Sequence, residues 1–316
     1  MKSLQLGTSS LKSSPIIFGG NVFGWTLNEK ESFKILDEML DRGITMIDTA
    51  DVYSRWVDGN EGGESERIIG KWFKDRKNRN QITLATKVGA DMGKGSRNIS
   101  KKYILERVED SLKRLQTDHI DLYFTHWDDE ETPVEETLEA YQQLIQQGKV
   151  NVVGASNLSS KRLSESLQAS TGSNLPKYQV FQPEYNLMSR KEFEEKIKPI
   201  CKRHQLGVTP YFSLASGFLT GKYRSEKDME GSSRKDFVQK YLNRTGLQVL
   251  DALDEISENH QVDNAAVALR WLMQQNVVTA PIASATKSKH LESFTEAMEI
   301  QLNAEEMRRL DEVSKL

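Results

Sequence analysis

Residues 82–126 decide the fold of this chain. They read ITLATK at 82–87, KKYILERVEDSLKRL at 101–115 and IDLYFTH at 120–126. The first and third stretches are short apolar runs rich in β-branched and aromatic residues, which is typical of buried strands, and the middle stretch has apolar residues at helical spacing. Two strands joined by a helix pair in parallel through a right-handed crossover. The segment therefore predicts a β-α-β unit.

The same alternation repeats along almost the whole chain. Apolar runs predict strands at residues 15–20, 44–48, 82–87, 120–126, 152–157, 180–185, 208–212 and 278–283. Helical spacing predicts helices at residues 29–42, 63–74, 101–115, 133–147, 161–168, 190–204, 247–258, 264–275 and 304–315. Residues typical of helix ends agree with these bounds, with Ser100 and Thr132-Pro133 at predicted starts and Gly43 and Gly148 at predicted ends.

Eight β-α units in 316 residues fit a closed (β/α)8 barrel, a TIM barrel of the α/β class, better than an open sheet. An open doubly wound sheet is the alternative, but its G-x-G-x-x-G fingerprint between strand and helix is absent. Residues 4–12 predict an N-terminal β-hairpin with Gly7-Thr8 at its turn. The polar, charged residues 222–244 predict a long loop with an extra helix after the seventh strand, near the active face. We therefore predict a single domain over residues 1–316.

Composition and charge exclude several classes of protein. The chain carries 43 Lys+Arg and 46 Asp+Glu, for a formal net charge of −3, so it has no broad basic surface for nucleic acid. Cys201 is the single cysteine, which excludes an internal disulfide and a cysteine-rich metal site. The N-terminus lacks the pattern of a secretory signal, and no apolar run approaches the roughly 18 residues of a membrane span. We expect a cytoplasmic protein without membrane insertion or a nucleic-acid partner, and the oligomeric state stays open.

Titratable side chains follow three successive predicted strands. Asp48, Lys87 and His126 come at strand ends, and Tyr53 lies in the loop beyond Asp48. Catalytic groups of a (β/α)8 barrel lie at the carboxyl ends of its strands, so we expect the four to converge on one mouth. Each alone has an ordinary structural interpretation: a turn-forming Asp, a solvated Lys, a wall aromatic or a hydrogen-bonded core His. Neither a metal-binding spacing nor a G-x-S-x-G nucleophile elbow accompanies them, so we predict no bound metal.

Six stretches, in a fixed order, resemble the successive motifs of the aldo-keto reductase superfamily. They are residues 44–53, 84–89, 121–127, 154–157, 182–186 and 211–223. The tracts at 50–53, 62–66 and 217–223 resemble bacterial members and the related potassium-channel β-subunits. The resemblance implies a (β/α)8 barrel, NADPH-dependent reduction of aldehydes or ketones to alcohols, and a catalytic tetrad of Asp48, Tyr53, Lys87 and His126.

Each residue of the tetrad implied by the resemblance has a distinct chemical role. Tyr53 donates a proton to the carbonyl oxygen as hydride arrives from reduced nicotinamide. A phenol has an unperturbed pKa of about 10. A Lys87 ammonium about 4 Å away favours the tyrosinate by at most ~4 kcal/mol at an effective dielectric near 20, because desolvation opposes it. Asp48 keeps Lys87 charged and in place, while a neutral His126 orients the carbonyl.

The resemblance also implies a set of cofactor-binding residues. Ser156, Asn157 and Gln182 match positions that bind the nicotinamide carboxamide, and Tyr211 matches the aromatic that stacks on the nicotinamide ring. The full set is Gly20, Asn21, Ser156, Asn157, Gln182, Tyr211, Ser213, Leu214, Ser216, Lys222, Ser284, Thr286, Lys287 and His290.

Residues 284–290 favour NADP over NAD as the cofactor. Hydroxyls and cations there suit a phosphate monoester, and the family holds the adenosine 2′-phosphate in this region. Two positions depart from the family pattern. Ser213 replaces the usual proline of the loop after the seventh strand, and Ser293-Phe294 stand where many members have Glu-Asn for the adenine.

Three functional hypotheses remain open at this point. The first is an NADPH-dependent carbonyl reductase that acts on a small-molecule carbonyl substrate. The second is an aldolase-like enzyme with Lys87 as Schiff-base nucleophile, which needs a lowered lysine pKa and which the neighbouring Asp48 opposes. The third is a non-catalytic, redox-sensing subunit that binds NADP(H).

The identity of the substrate also stays open. Specificity lies in loops at residues 54–63, 127–132 and 222–244, whose conformation is not readable from composition. Trp25, Trp56 and Trp127 either line a pocket that accepts aromatic substrates or pack under loops.

Overall fold

The computed structural model describes residues 3–232 and 234–315. An antiparallel hairpin of β1 (Leu4–Gln5) and β2 (Lys12–Ser13) comes first. The parallel strands are β3 (Ile17–Gly19), β4 (Met46–Asp48), β5 (Thr83–Val88), β6 (Ile120–Thr125), β7 (Val150–Ser156), β8 (Val180–Gln182), β9 (Gly207–Val208) and β10 (Ile282–Ala283). The α-helices are α1 (Glu29–Asp41), α2 (Glu64–Arg76), α3 (Lys101–Leu115), α4 (Val134–Gln146), α5 (Ser160–Gly172), α6 (Lys198–His204), α7 (Lys235–Val238), α8 (Arg244–His260), α9 (Asn264–Met273), α10 (Ser288–Glu299) and α11 (Ala304–Val313). None of these helices is long and apolar enough to cross a membrane.

The eight parallel strands form one closed sheet. Their order is β10-β3-β4-β5-β6-β7-β8-β9. The two outer strands of that order are joined by backbone hydrogen bonds from Thr279 N to Val208 O (2.8 Å) and from Ile282 N to Pro210 O (2.9 Å). This is the (β/α)8 barrel that the sequence predicts, and the N-terminal hairpin and the extra helix α7 after β9 are confirmed with it.

The N-terminal hairpin closes the bottom of the barrel. Leu6 is fully buried in the interior cluster with Ile17 and Met46. Gly7, with a φ of +59°, lies so close to the amino end of β8 that a Cβ there would come within 2.7 Å of the Gln179 carbonyl oxygen. The amino end of the barrel is therefore sealed, and the mouth at the carboxyl ends of the strands is left for ligands.

Alternation along the strands decides which side chains enter the barrel. On β5, Ala85 packs in the interior cluster, whereas Leu84 and Val88 pack in the outer core under the helices. Side chains two residues apart share a face, so Lys87 points inwards above Ala85. The parallel register pairs Asp48 of β4 with Ala85. The interior layer nearest the mouth thus carries charged groups, whereas the layers below it are apolar.

Helix ends follow the local sequence. Asn28 begins α1 with a capping box, in which its side chain accepts from Glu31 N (3.0 Å) while Glu31 Oε2 accepts from Asn28 N (2.9 Å). Gly43 (φ 72°) and Gly148 (φ 70°) end α1 and α4 as predicted. Pro133 differs from the prediction, because it occupies the cap position and α4 begins one residue later.

Prolines shorten or interrupt three of the predicted elements. The predicted helix at 190–204 contains a π-helical segment, Phe193–Ile197, immediately before α6. Pro199 lies at the start of α6, where its ring and missing N–H disfavour a regular helical bond to the preceding turn. The last two barrel strands are shorter than predicted because Pro210 and Pro281 have no N–H to donate to the sheet.

Helix α10 is an element that the sequence analysis did not predict. The sequence assigns residues 284–290, which include its first turn, to cofactor binding. Leu291, Phe294 and Ala297 form its buried face at three-residue spacing. Two strongly apolar residues are too few to set a helical period against a polar background, so this helix forms because neighbouring elements cover that face.

The packing of α2 on α3 depends on Gly70. A Cβ at Gly70 would contact the carbonyl oxygen of Arg114 and come within 2.8 Å of the Leu115 Cα. We expect Gly70→Ala to lower the free energy of unfolding by about 1–3 kcal/mol, because the backbone of α3 must shift. Gly172→Ala, in α5 with no atom of a described residue within 4 Å of its Cβ, is the control and should change the free energy by less than ~1 kcal/mol. Urea denaturation measures both, and equal stability of the two variants contradicts this account of the packing.

Candidate active site

Lys87 is the centre of the hydrogen bonds at the mouth. Its side chain is fully buried and its Nζ donates to Asp48 Oδ2 (2.6 Å), to Thr49 O (2.8 Å) and to Tyr53 OH (2.8 Å). The three acceptors come from the end of β4 and from the loop that follows it, beside β5. All three ammonium protons of Lys87 are therefore used within the chain.

Asp48 is held from the opposite side of the barrel. Its second oxygen, Oδ1, accepts from Gln182 Nε2 at 2.9 Å. The backbone carbonyl of Gln182 accepts in turn from the Ser156 hydroxyl at 2.8 Å. Strands β4, β7 and β8 are thereby connected by side chains through the barrel interior, which fixes the carboxylate beside Lys87.

Burial sets the protonation of Tyr53. Removal from water, and next the negative charge of Asp48, raise the pKa of Tyr53 well above 10.0. Burial also lowers the pKa of Lys87 from 10.5, with Asp48 opposing the change. The expected bias of Lys87 towards a tyrosinate is thus outweighed, and Tyr53 stands as a neutral phenol near neutral pH.

His126 lies on the other side of the Tyr53 ring. The two rings meet edge to face, with centroids 6.0 Å apart. Burial first, then the positive charges of Lys87 and Arg97, hold the pKa of His126 well below its ordinary 6.5, so the imidazole is neutral at pH 7. Its buried Nδ1 has no hydrogen-bond partner among the described residues. A neutral imidazole of this kind offers one donor and one acceptor to a ligand.

Asn157 connects the tetrad to the residues predicted to bind the nicotinamide. Its Nδ2 donates to the His126 carbonyl (3.0 Å) and to the Ser156 hydroxyl (3.1 Å), and its Oδ1 accepts from Tyr211 OH (2.7 Å). Asn157 has a φ of +53°, which the short amide side chain tolerates. The structure therefore brings Ser156, Asn157, Gln182 and Tyr211 into one connected network with the tetrad.

The loop after β9 has an unusual backbone. Ala215, Ser216 and Gly217 follow one another with φ values of 46°, 56° and 95°. The Nζ of Lys222 lies 3.6 Å from the position of a Cβ on Gly217, so a cation stands over this turn. The N–H groups of Ala215 and Gly217 donate to Phe212 O (2.7 Å) and Leu214 O (2.8 Å), so the ammonium of Lys222 is what this turn offers to an anion. Ser213 does not contribute its side chain, because it is buried and its hydroxyl donates to Pro210 O (3.1 Å); Leu214 is partly exposed.

The predicted residues after β10 lie at the same rim. Ser284 donates to Asn21 Oδ1 at 2.5 Å, which joins the ends of β10 and β3. Thr286 N lies 3.2 Å from His290 Nδ1. Burial, and then the positive charges of Lys222 and Lys287, lower the pKa of His290.

Gly20 has a packing role in the site. Its carbonyl accepts from Ser65 at 2.8 Å, and a Cβ on Gly20 would lie 2.9 Å from the same hydroxyl. The residue therefore allows the close approach of α2 to the end of β3.

Arg234 is a candidate residue that the sequence analysis missed. Its guanidinium lies 5.4 Å from the ring centroid of Trp25, and its Nη1 is 3.4 Å from the Ser216 carbonyl. It also lowers the pKa of His290, so it belongs to the same group of cations as Lys222 and Lys287. Within the described part of the chain it has no acidic partner. The 222–244 loop carries no periodic pattern, so only the folded chain identifies this arginine.

Two tryptophans continue the aromatic wall from Tyr53. Trp56 lies edge-on to Tyr53 with centroids 6.0 Å apart, and Trp25 lies edge-on to Trp56 at 5.7 Å. Trp127 stacks on His126 at 6.2 Å. Trp56 is 49% exposed, so it is a wall of the mouth and not a core residue.

The family model described as "Aldo/keto reductase family" matches residues 15–315. The chain belongs to this family, whose members are oxidoreductases that act on small carbonyl compounds with a nicotinamide cofactor. The recognition made from the motifs is thereby confirmed.

Three relatives illustrate the range of the match. The "Aldo-keto reductase YhdN" of Bacillus subtilis is 34% identical over 93% of this chain and 86% of its own length. The "Probable voltage-gated potassium channel subunit beta" of Arabidopsis thaliana is 31% identical over 95% and 92%. The "L-glyceraldehyde 3-phosphate reductase" of Escherichia coli O157:H7 is 29% identical over 99% and 92%.

The residues at the mouth fit a nicotinamide dinucleotide. The buried Nδ1 of His126 has no partner among the described residues, and the Lys222 ammonium lies beside the turn at 215–217. Arg234, Lys287 and the start of α10 add positive potential at the rim. A planar ring at the tetrad and phosphates at the rim suit this distribution.

The stability of the fold depends on keeping both members of the buried ion pair of Lys87 and Asp48. We expect Lys87→Met to lower the free energy of unfolding by about 3–5 kcal/mol, because Asp48 is left buried and uncompensated. Adding Asp48→Asn should recover part of that loss. Lys71→Met, which breaks the exposed 2.5 Å pair with Glu29, is the control and should have little effect. Chemical denaturation of the four proteins tests this, and a double variant less stable than Lys87→Met overturns it.

Proposed function

We propose that this chain is an NADPH-dependent carbonyl reductase, with Tyr53 as general acid. The observation that carries the proposal is the hydroxyl of Tyr53, which accepts a 2.8 Å hydrogen bond from fully buried Lys87 beside a neutral His126. We place the reaction in one domain over residues 1–316 and in the cytoplasm.

Tyr53 supplies the proton of the reduction. Burial and Asp48 keep the phenol protonated, so a proton is available when negative charge develops on the carbonyl oxygen. Reduced nicotinamide, when bound, supplies the hydride to the carbonyl carbon. The O–H bond of Tyr53 breaks, the alcohol O–H forms, and the tyrosinate that remains lies 2.8 Å from the Lys87 ammonium until water reprotonates it.

His126 positions the substrate. A neutral imidazole donates one hydrogen bond to the carbonyl oxygen without competing as an acid, since its pKa lies well below 6.5. The rings of Trp127 and Trp56 lie beside His126 and Tyr53 and form the wall next to that oxygen. Lys87 and Asp48 act on Tyr53 and do not touch substrate.

The geometry of Lys87 disfavours the Schiff-base alternative. A lysine nucleophile needs a free amine lone pair directed at the substrate. Lys87 is fully buried and its three hydrogen bonds all go to chain acceptors. The burial that lowers its pKa therefore does not make it a nucleophile.

The cofactor is held by two groups of residues. Ser156, Asn157 and Gln182 present polar groups to the carboxamide, and the Tyr211 ring, fixed through its hydroxyl, packs on the nicotinamide. The rim holds the phosphates through Asn21, Leu214, Ser216, Lys222, Arg234, Ser284, Thr286, Lys287 and His290. Gly20 contributes indirectly, because it lets α2 approach the end of β3. The side chain of Ser213 supports the loop from within.

Tyr53→Phe should lower turnover by about 10²- to 10⁴-fold, because the proton donor is lost while the ring stays. NADPH affinity should be unchanged. The assay is loss of NADPH absorbance with 4-nitrobenzaldehyde, and binding is followed by NADPH fluorescence. Tyr103→Phe, on α3 and outside the site, is the matched control. Full activity of Tyr53→Phe contradicts the role of Tyr53 as general acid. If the wild type binds NADPH tightly but shows no turnover, the result favours the redox-sensing subunit.

Lys287→Met should raise the Kd of NADPH about tenfold and leave that of NADH unchanged, because residues 284–290 are the predicted site of the 2′-phosphate, which NADH lacks. The matched control is Lys289→Met, two residues along α10, where the ammonium lies 3.9 Å from Asp263. Fluorescence titration of the wild type and both variants with both cofactors gives the six constants needed. An equal loss for NADPH and NADH rules out the role in selecting NADPH.

A further inference from the structure

A buried polar cluster lies directly behind the candidate active site. It consists of Asp51, in the loop after β4, Glu66 on α2 and Arg114 on α3. Glu66 is fully buried, and its two oxygens accept from Arg114 Nε (2.6 Å) and from the Thr86 hydroxyl (2.6 Å). Asp51 is 1% exposed, and neither of its carboxyl oxygens accepts a well-formed hydrogen bond from a described residue.

This cluster is connected to both Lys87 and Tyr53. The backbone N–H of Asp51 donates to the Lys87 carbonyl at 3.3 Å. Thr86, which Glu66 holds, is the residue before Lys87 on β5. Asp51 is also two residues before Tyr53, whose N–H donates to the Ala50 carbonyl at 3.2 Å. The cluster therefore lies close to both Lys87 and Tyr53, so a change of its charge acts on them electrostatically at short range.

The charges in this region balance only if one carboxyl is neutral. Three acids, Asp48, Asp51 and Glu66, face two bases, Lys87 and Arg114. Asp48 is paired with Lys87, and Glu66 is paired with Arg114. Ionised Asp51 would add a buried negative charge with no partner, which is strongly unfavourable.

The groups around Asp51 agree with a neutral acid. The titratable side chains that face it are Glu66 from α2, Arg114 and Tyr103 from α3, Lys87 from β5, Tyr123 from β6, Tyr141 from α4 and Tyr53 from its own loop. Burial raises the pKa of Tyr103, Tyr123 and Tyr141 above 10.0, so these carry no charge near neutral pH. Burial first, and then Glu66, raise the pKa of Asp51 from 3.8 to about 8, with Arg114, the Val52 N–H and Lys87 opposing.

We propose that Asp51 is a positioning residue that stands protonated behind Lys87 and Tyr53, and that its ionisation at alkaline pH opposes formation of the Tyr53 anion. The proposal rests on the proposed function, in which Tyr53 is the acid of reduction and its anion is the base of alcohol oxidation. In the oxidation the alcohol proton passes to the tyrosinate and hydride passes to the oxidised nicotinamide. When Asp51 ionises, its proton passes to solvent and the remaining negative charge holds the Tyr53 proton more tightly, so alcohol oxidation slows.

The kinetic test compares Asp51→Asn with the wild type. Oxidation of 4-nitrobenzyl alcohol with NADP⁺ is followed as kcat/KM between about pH 6 and about pH 10. The amide stays neutral, so we expect the two oxidation profiles to coincide below about pH 8 and the variant to be up to about tenfold faster above it. Reduction of 4-nitrobenzaldehyde at about pH 6.5 should stay within about threefold of the wild type, since both chains are neutral at this position. Asp58→Asn, the same change at an exposed site in the same loop, should leave both profiles in place.

A second readout does not depend on activity. Because the pKa of Asp51 is higher in the folded than in the unfolded chain, the free energy of unfolding of the wild type should fall relative to Asp51→Asn as the pH rises from about 4 to about 8. Infrared difference spectra of the wild type should show the carbonyl stretch of a protonated carboxylic acid that disappears as the pH passes about 8. In Glu66→Gln this band should disappear at a lower pH, because a neighbouring negative charge is gone.

The outcomes separate the two proposals. If the wild type has no turnover, the proposed function falls, and Asp51 loses its role on Tyr53 with it, whatever the infrared band shows. If the wild type turns over and the Asp51→Asn profile superimposes on it, the role of Asp51 is wrong while the function stands. The inference is also wrong if the wild type shows no protonated-acid band that is lost in Asp51→Asn, even if the pH profiles differ.

Discussion

The buried ion pair between Lys87 and Asp48 is the interaction on which the site depends. Its atoms are 2.6 Å apart with almost no exposure to solvent. Two charges in such a place lose hydration worth several kcal/mol each, and their attraction repays this only if the remaining protons and lone pairs are bonded. Thr49 O, Tyr53 OH and Gln182 Nε2 provide those bonds. Because they come from the loop after β4 and from β8, the pair is fully bonded only when the barrel is closed.

The same burial determines the state of the proposed acid. In water a neighbouring ammonium favours a tyrosinate, but here desolvation and Asp48 keep the proton on Tyr53. His126 is held neutral by burial and by Lys87. The site at rest therefore contains a proton donor and a neutral hydrogen-bonding group, which suits a reaction that places negative charge on an oxygen. Lys87 contributes most after the proton has left, when the tyrosinate remains at its side.

Stability and chemistry occupy opposite ends of the molecule. The hairpin around Leu6 and Gly7 seals the amino end, and the helices cover the apolar outer faces of the strands. The mouth carries cations at one rim and an aromatic wall around Trp25 and Trp56. Between the strands and the helices α2 and α3 lies the cluster of Glu66 and Arg114, which supports β5 through Thr86.

The sequence by itself determined the barrel, the family and the strand-end positions of Asp48, Lys87 and His126, because a period of two and an apolar run are local properties of the chain. It did not determine the bond between Gln182 and Asp48, whose residues are 134 positions apart, nor the meeting of Arg234 with Trp25. Those contacts, helix α10 and the π-helical segment before α6 arise from packing between distant segments. The protonation of Tyr53 and Asp51 likewise depends on how completely water is removed, and removal of water is a property of the closed fold and not of any single stretch.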